Sequence, residues 1–294
     1  MPDMPVIRIQ TEPDTRSAPP PAGTYMLAND AADHARLIAI ARGAAQAVRE
    51  MCARAGVGAG ARVVDVGCGP VGALLELAEV VGPLGVVVGL DSSAAAVATA
   101  RAIVAGQNLG NVAVVHGDVN TLDLAALTAA GPFDAAHLRL VLGHQTDPAA
   151  TLRRVAALLR PGGRVLVADL LAHSLYDPPV AASEQAWELL YAAARRRGLA
   201  ANLGARLPRL CEEAGLRVLD ARGAFNFQTP ASEILALTRA LLVSARAAVV
   251  GAGLAAEAEV DALVAALAAA EAQEFRSAVD GLTVQVIAAV PDEA

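Results

Sequence analysis

The segment 62–72 restricts the fold of this chain more than any other stretch. An apolar, mostly β-branched run ends at Val66, glycines follow directly, and a segment with helical spacing begins near Ala73. A strand, a tight turn and a helix start in this order direct backbone N–H groups towards a ligand. The segment therefore predicts a ligand-binding turn at the carboxyl end of a strand.

Two kinds of ligand fit the glycine pattern of this turn. Gly67, Gly69 and Gly72 match G-x-G-x-x-G, and Asp91 follows about 20 residues later, where a dinucleotide-binding unit carries the acid for a ribose. Asp65 favours another ligand, because a carboxylate two residues before the first glycine would face a pyrophosphate with like charge. This acid suits a ligand that carries an ammonium and a sulfonium.

The run 65–69 (Asp-Val-Gly-Cys-Gly) resembles the first motif of class I S-adenosylmethionine (SAM) dependent methyltransferases. Further motifs of the family follow in order: Asp91 after the apolar run 85–90, Gly117-Asp118 after 112–115, and a Pro-Gly-Gly turn in 160–164 before a strand at 165–171. The segment 133–144 resembles the fourth strand, whose end borders the donor methyl. The resemblance implies an α/β fold: a Rossmann-like, seven-stranded, mostly parallel sheet with an N-terminal helix and helical cap insertions.

The resemblance also implies SAM as the cofactor and a set of residues that bind it. Asp91 would accept from the ribose hydroxyls, and Asp118 would accept from the adenine amine. Val71 stands where the family most often has glycine, so Gly72 is a less secure contact than Gly67. The expected cofactor-binding residues are Asp65, Gly67, Cys68, Gly69, Asp91, Ser92, Asp118, Val119, Arg139, Tyr25 and Arg36. For Tyr25 and Arg36, packing and solvation are the alternatives.

Three residues are expected to contact the methyl acceptor. His144 is the expected catalytic base, because an imidazole titrates near neutral pH and the turn after the fourth strand should face the acceptor. A hydrogen-bonded turn residue is the alternative role, and His173 is a second choice for the base. Trp187 and Tyr191 lie four residues apart on one face of a helix at 183–197, where they either contact the substrate or pack a lid.

The sequence divides into a short arm and one domain. Residues 1–22 contain three consecutive prolines and predict a flexible arm. Residues 23–294 are expected to form the methyltransferase domain, with cap helices at about 176–200 and 231–278. We expect a first helix from Asn29 or Asp30 to about residue 54, further helices at 203–214, 231–250 and 255–278, and an antiparallel pair of strands at 216–227 and 282–290.

The composition of the chain argues against several classes of partner. A net charge of −7 and a pI near 5.3 argue against nucleic acid, which needs clustered Lys and Arg. Gly, Pro and charges interrupt the apolar runs, so we expect no membrane partner, and the start of the chain does not resemble a signal peptide. Cys52, Cys68 and Cys211 are odd in number and widely spaced, so neither a disulfide framework nor a metal site is expected. We expect a cytoplasmic protein.

These patterns predict SAM-dependent methyl transfer to an oxygen, nitrogen or carbon atom of a small organic molecule, with secondary metabolism as one setting. Two alternatives remain open: an NAD(P)-dependent oxidoreductase, which the full glycine pattern and Asp91 support, and a non-catalytic SAM-binding protein. The alanine-rich helices are expected either to shelter the substrate or to form the surface of a homodimer.

Overall fold

The structure is a computed structural model that describes residues 25–225, 227–228, 232–272, 277–279 and 281–292. The predicted arm at 1–22 lies outside these residues. The chain forms two compact units. We call Asn29–Leu171, Asn202–Ala224 and Thr283–Ala294 the sheet unit, and Met1–Ala28, Ala172–Ala201 and Phe225–Leu282 the helical unit. The predicted extent of the methyltransferase domain stays a prediction.

Ten strands are described. In chain order they are β1 (Arg62–Val66), β2 (Val86–Asp91), β3 (Val112–His116), β4 (Phe133–Arg139), β5 (Leu159–Ala172), β6 (Leu175–Asp177), β7 (Arg217–Ala224), β8 (Phe227–Gln228), β9 (Ser277–Val279) and β10 (Leu282–Ala289). Seven of them form one sheet in the order β3-β2-β1-β4-β5-β10-β7. β6, β9 and β8 form a separate antiparallel sheet.

The α-helices, in chain order, are α1 (Ala31–Ala55), α2 (Leu74–Val81), α3 (Ala94–Gly106), α4 (Leu124–Thr128), α5 (Pro148–Ala156), α6 (Ala181–Arg196), α7 (Leu207–Glu213), α8 (Ser232–Gly251) and α9 (Glu257–Glu271). Short 3₁₀ turns lie at Leu142–His144 and Gly204–Arg206. Asp30 caps α1 by accepting from the Asp33 amide, Ser93 caps α3 and Asp147 caps α5.

The predicted Rossmann-like sheet is confirmed. β3, β2, β1, β4 and β5 pair in parallel, and β7 pairs antiparallel with β10 as the sequence predicts. The direction of strand order reverses between β1 and β4, and ligands of open α/β sheets bind at such a switch point, outside the carboxyl ends of the strands. Leu74 and Leu77 of α2 and Met51 of α1 are buried against this sheet, and each such side chain contributes roughly 1.5–3 kcal/mol of burial free energy.

In the helical unit, α6, α8 and α9 share one apolar core. Leu189, Leu235, Leu242, Val249 and Leu263 are buried in it. One helical stretch among the described residues, Glu233–Gly251, is long and apolar enough to cross a membrane by length and composition. Core helices of proteins that enter no membrane meet the same criterion, so this finding is weak evidence, and the absence of a membrane partner stays a prediction.

Several predicted boundaries were wrong. The fourth strand ends at Arg139 and not at 144, because Leu140 adopts a left-handed backbone (φ 58°) that a strand cannot continue. The fifth strand begins at Leu159, which pairs with Phe133 before a shift in register. The helix before it, α5, accordingly ends at Ala156.

Three later elements also differ from the prediction. The strand expected at 216–227 is split into β7 and β8, which belong to different sheets. The helix expected at 255–278 ends at Glu271, and Ser277–Val279 is a strand. The helix expected at 203–214 begins with a 3₁₀ turn before α7, where a proline occupies the first turn.

Candidate active site

The glycine turn after β1 needs glycine for two separate reasons. Gly67, Gly69 and Gly72 all have positive φ (68°, 54° and 48°), a conformation that side chains rarely adopt. A Cβ on Gly67 would lie 2.6 Å from Val141 Cγ2, and one on Gly72 would lie 2.4 Å from Asp65 Oδ2. These two glycines are therefore required by the packing of the protein itself.

Gly69 differs from its neighbours because the space beside its Cα is open. A Cβ there would meet only Leu37 Cδ1, at 4.0 Å. Cys68 is 1% exposed and burial raises the pKa of its thiol, so its side chain points into the core as a neutral group. A ligand can therefore contact this turn through the backbone of residues 68 and 69.

Asp65 lies beneath the turn and holds it in place. Its Oδ2 accepts from the Ala73 amide at 2.9 Å, and its Oδ1 is 2.7 Å from His137 Nδ1. Both Asp65 and His137 are almost fully buried, and they face each other in the β1–β4 register. His137 was not singled out from the sequence. The pairing of the two strands could have identified it, since it is the polar residue opposite Asp65 and lies between Ala136 and Leu138.

Asp91 joins the end of β2 to the glycine turn. Its Oδ2 accepts from the Gly69 amide at 2.7 Å, and its Oδ1 accepts from the Ser93 amide at 2.8 Å. Burial raises the pKa of Asp91, and these two backbone bonds oppose the rise. Ser92 is exposed, and its carbonyl oxygen lies 3.0 Å from His116 Nε2. The structure thus brings the expected ribose acid and the glycine turn together.

A network around Asn120 connects the ends of β3 and β4. Asp118 Oδ1 accepts from the main-chain and side-chain N–H groups of Asn120, at 2.8 and 3.0 Å. Asn120 Nδ2 also lies 2.9 Å from Gln145 Oε1, and Thr151 donates to Asn120 Oδ1 at 2.8 Å. Asp118 is exposed, whereas the neighbouring Val119 is buried. Neither Asn120 nor Gln145 was singled out in the sequence, because an amide has no spacing signature.

The turn that carries His144 is attached to β5. The Leu140 amide donates to the Ala168 carbonyl at 2.8 Å, and the Gly143 amide donates to Asp169 Oδ2 at 3.0 Å. Burial raises the pKa of Asp169 to about 6, while the backbone N–H groups of Leu170 and, in the turn, of Gly143 and Leu142 oppose the rise. Asp169 therefore holds the turn by accepting a hydrogen bond from its backbone, a role that was not predicted from the sequence.

His144 lies close enough to α1 for charges there to act on its pKa. Burial, and after it the positive charge of Arg36, lower that pKa to about 4, while the negative charge of Asp33 opposes both. His144 is consequently neutral at pH 7. The expectation that its imidazole titrates near neutral pH was wrong, because the sequence reveals neither its burial nor its cationic neighbour.

Arg36 forms a buried ion pair with Asp33 within the first turns of α1. Asp33 Oδ1 accepts from Arg36 Nε at 2.9 Å and from Nη2 at 2.7 Å. The other carboxylate oxygen, Asp33 Oδ2, is buried and has no hydrogen-bond partner among the described residues. His34 follows, with its ring nitrogens 3.1 Å from Thr99 Oγ1 and 3.0 Å from Asn29 Oδ1.

Arg139 ends β4 in a similar environment. Burial lowers the pKa of its guanidinium, and the charges of Asp65 and Glu76 oppose the change. Its Nε is buried, and no described residue accepts a hydrogen bond from it. Among the described residues, the sheet unit therefore holds one carboxylate oxygen, that of Asp33, and two arginine nitrogens, Nε of Arg62 and Nε of Arg139, that are buried without hydrogen-bond partners.

The other predicted site residues belong to the helical unit. Tyr25 and Trp187 pack against its apolar core, and Tyr191 contacts Trp187, with the ring centroids 5.6 Å apart. In the part of the chain that the structure describes, no group of three or more His, Cys, Asp or Glu side chains could hold a metal ion.

Comparison with known proteins places these residues in a family. The family model described as "Methyltransferase domain" matches residues 58–215, more than half of the chain. An uncharacterized 37.1 kDa protein in transposon TN4556 of Streptomyces fradiae is 41% identical over 110 residues, which are 37% of this chain and 30% of that protein. The O-methyltransferase resE of Aspergillus sclerotiorum is 30% identical over 156 residues, 48% of this chain and 57% of the relative.

A third relative is the ubiquinone biosynthesis O-methyltransferase of Xanthomonas axonopodis pv. citri, 38% identical over 113 residues, 38% of this chain and 44% of the relative. The chain thus spans less than two thirds of the length of these relatives. Two solved structures share the fold. The [4+2]-cyclase SpnF is 19% identical with a TM-score of 0.53, and the match covers 86% of this chain and 83% of SpnF. The YcgJ protein of Bacillus subtilis is 17% identical with a TM-score of 0.52, and the match covers 86% of this chain and 100% of YcgJ. By its match over residues 58–215, this chain belongs to the methyltransferase-domain family of class I SAM-dependent methyltransferases.

Proposed function

We propose that this chain transfers the methyl group of SAM to an oxygen atom of a small organic molecule. One observation carries the proposal: the family match covers Asp65, Asp91, Asp118 and His144, which lie at or shortly after the carboxyl ends of β1, β2, β3 and β4. Oxygen is favoured as the acceptor atom because two of the compared relatives are O-methyltransferases. The same match argues against the oxidoreductase alternative.

The unpaired groups of the sheet unit fit the methionyl part of SAM. A buried carboxylate oxygen or guanidinium nitrogen without a partner costs stability until a ligand supplies one. Asp33 Oδ2 can accept from an ammonium, and Arg139 Nε, together with the part of Arg36 that Asp33 leaves unused, can donate to a carboxylate. A zwitterionic amino acid has both an ammonium and a carboxylate, whereas a nicotinamide dinucleotide has neither.

The remaining contacts with the cofactor are assigned from the family resemblance and supported by position. Asp91 would accept from the ribose hydroxyls with the lone pairs that the Gly69 and Ser93 amides leave unused, since each carboxylate oxygen has two. Asp118 would accept from the adenine amine beside Val119. The backbone of residues 67–69, Ser92 and Tyr25 complete the proposed set, and Asp65 acts by holding the turn.

When bound, SAM supplies a methyl group already activated by a sulfonium leaving group. The residues of this chain then contribute position and a shaped electrostatic environment. A hydroxyl acceptor must lose a proton, and we propose that the neutral imidazole of His144 receives it. A base with a pKa of about 4 accepts protons weakly at neutral pH, so its contribution should lie at the low end of about 10²–10⁴-fold. Trp187 and Tyr191 are proposed to contact the acceptor.

We also propose a location, a type of partner and an assembly for this chain. A net charge of −7 disfavours nucleic acid, and we propose a cytoplasmic protein that acts on small molecules and assembles as a homodimer. Light scattering after size-exclusion chromatography would measure the mass of the assembly. A monomer across the working concentration range would contradict the dimer.

The function is tested with SAM that carries an isotopic label in its methyl group. Purified protein is incubated with labelled SAM and a panel of hydroxylated, amino and carbon-nucleophile acceptors, and the products are analysed by mass spectrometry. The proposal predicts label on an oxygen atom. Label on nitrogen or carbon would correct the acceptor atom, and tight SAM binding without transfer to any compound of the panel would favour the non-catalytic alternative.

A further inference from the structure

The helical unit contains every Trp and Tyr of the chain. Only 3% of the residues are aromatic, and the chain has one Trp and three Tyr. Tyr25, Tyr176, Trp187 and Tyr191 all lie in this unit. Such a concentration in an aromatic-poor chain calls for a physical explanation, because Leu and Ala fill the core of the same unit.

Three of its rings form a cluster that we call the aromatic triad, consisting of His173, Trp187 and Tyr191. His173 stacks on Trp187 with the centroids 5.7 Å apart and the planes 21° apart. Tyr191 lies 5.6 Å from Trp187 and 6.0 Å from His173 in tilted arrangements. Glu184 binds His173 Nε2 at 2.8 Å and fixes the imidazole. His173, Trp187 and Tyr191 are each partly exposed, so a ligand can reach the triad from solvent.

Polar groups that donate to no described residue accompany these rings. Trp187 Nε1, Tyr191 Oη and Ser183 Oγ are buried, and none donates a hydrogen bond to an acceptor within the described residues. The three residues are spaced four apart on α6 and so share one helix face. The Ser183 side chain is fully buried. Each buried polar group without a partner costs about 1–3 kcal/mol, and proteins retain few of them.

The chemistry of Trp187 Nε1 and Tyr191 Oη indicates what kind of ligand atom could pair with them. An indole N–H can only donate a hydrogen bond. Burial raises the pKa of Tyr191 to about 12, although the His173 backbone amide opposes the rise, so its hydroxyl is protonated and can donate. Two donors beside partly exposed aromatic residues suit an oxygen acceptor that is carried on a flat molecule.

We propose that the aromatic triad binds a planar conjugated molecule through its ring face, with a carbonyl or phenolic oxygen that accepts from Trp187 Nε1 and Tyr191 Oη. The identification of this molecule as the methyl acceptor rests on the proposed function, whereas the binding does not. Stacking on aromatic side chains selects flat ligands. A site built to donate to an oxygen rejects analogues that lack it, because the donors then stay buried and unpaired.

The only Trp of the chain supplies a direct probe. A ¹H–¹⁵N spectrum of the full chain contains a single indole N–H resonance. Coumarin, a planar lactone, is titrated against two controls: indene, a planar hydrocarbon without oxygen, and cyclohexanone, a carbonyl compound without a planar ring. Coumarin should move the indole resonance downfield and saturate. An unmoved resonance at millimolar coumarin, or equal downfield shifts with indene, would overturn the proposal.

Variants separate hydrogen bonding from packing. Trp187→Phe and Tyr191→Phe each keep a ring and remove one donor, and each should weaken coumarin binding about tenfold by calorimetry, the loss of one hydrogen bond. Indene binding should change less than twofold. Tyr176→Phe is the matched control, because the Tyr176 hydroxyl already bonds Thr238 Oγ1 at 3.3 Å, and it should bind coumarin as the wild type does. Equal affinity in all four proteins would reject the assignment.

Different binding results reject the aromatic site and the methyltransferase activity. SAM affinity is measured on the same preparations without coumarin. A protein that binds SAM but leaves the indole resonance unmoved rejects the aromatic site alone. One that binds coumarin through Trp187 but does not bind SAM rejects the methyltransferase activity alone.

Discussion

Asp65 Oδ1 and His137 Nδ1 lie 2.7 Å apart between two central strands, and the other oxygen of Asp65 holds the first amide of the following helix segment. One buried carboxylate thus links the β1–β4 pairing to the shape of the glycine turn. The acid that the family motif places before its glycines is Asp65 in this chain, and His137 of the neighbouring strand holds its side chain in position.

Replacing His137 tests this link. His137→Leu leaves Asp65 Oδ1 buried without its hydrogen-bond partner and should lower the free energy of unfolding by about 1–3 kcal/mol in urea titrations. His137→Gln retains an N–H donor and should lose less. His116→Gln, at an exposed position of β3, serves as the control and should stay within about 0.5 kcal/mol. An unchanged unfolding midpoint for His137→Leu would contradict the link.

The glycines should separate into a structural and a ligand-binding class. Gly72→Ala places a Cβ 2.4 Å from Asp65 Oδ2 and should lower stability by more than about 2 kcal/mol. Gly69→Ala meets open space and should cost only the left-handed strain of about 1–2 kcal/mol, yet reduce SAM affinity by at least tenfold. Calorimetry with SAM and urea unfolding measure both quantities. Equal SAM affinity for Gly69→Ala and the wild type would remove Gly69 from the site.

Leu140 is the outlier among described non-glycine residues with positive φ, since the others are Asn29, Asn108 and Asn202. Asparagine tolerates this conformation, whereas a β-branched side chain does not. Leu140→Ile should therefore lower the free energy of unfolding by about 1–2 kcal/mol more than Leu140→Asn. It should also lower kcat more, because the turn that carries His144 begins here. Indistinguishable unfolding curves for the two variants would show that the left-handed backbone is not retained in solution.

The dependence of stability on pH should show two opposed contributions. His144 has a folded pKa of about 4, below its ordinary 6.5, so the unfolded chain binds the extra proton and stability falls as pH drops from 6.5 to 4. Asp169 has a folded pKa of about 6, above its ordinary 3.8, so stability falls as pH rises from 3.8 to 6. Urea unfolding measured across this range reports the sum.

Variants separate these two contributions. Relative to the wild type, His144→Asn should lose stability with rising pH across this range, and Asp169→Asn should gain it. For each variant, the difference in unfolding free energy from the wild type is plotted against pH. If the two plots have slopes of the same sign, the assignment is contradicted. For activity, a base with this pKa gives a rate that is flat between pH 6 and 8. A rise near pH 6.5 that disappears in His144→Asn would instead restore the expectation of an imidazole that titrates near neutral pH.

The sequence predicted the parts of the fold that repeat a local pattern. Apolar strands followed by Asp91, by Gly117-Asp118 and by the Pro-Gly-Gly turn are local signals, and they identified the parallel sheet. The three-stranded sheet escaped prediction because β6 and β8 are two or three residues long and depend on partners distant in the chain. Backbone exceptions such as the left-handed Leu140 escaped for a similar reason, since leucine carries no signal for it.

In the site, acids at strand ends could be predicted and their supporting partners could not. Asp65 and Asp91 occupy positions that the family motif marks. His137, Asn120 and Asp169 act through contacts across strands, which need the register and the turn geometry. The lowered pKa of His144 depends first on burial and then on Arg36, more than 100 residues away in the chain, and no local pattern reveals either.

Calorimetric titration of the purified chain with SAM and S-adenosylhomocysteine, in parallel with NAD and NADP, tests the central claim most directly. The two adenosyl compounds should bind and the two dinucleotides should not. Asp91→Ala should weaken SAM binding by about 1.5–3 kcal/mol, the range for a hydrogen bond to a charged group. Binding of NAD or NADP with no heat from SAM, or an unchanged SAM affinity in Asp91→Ala, would contradict this account of the site.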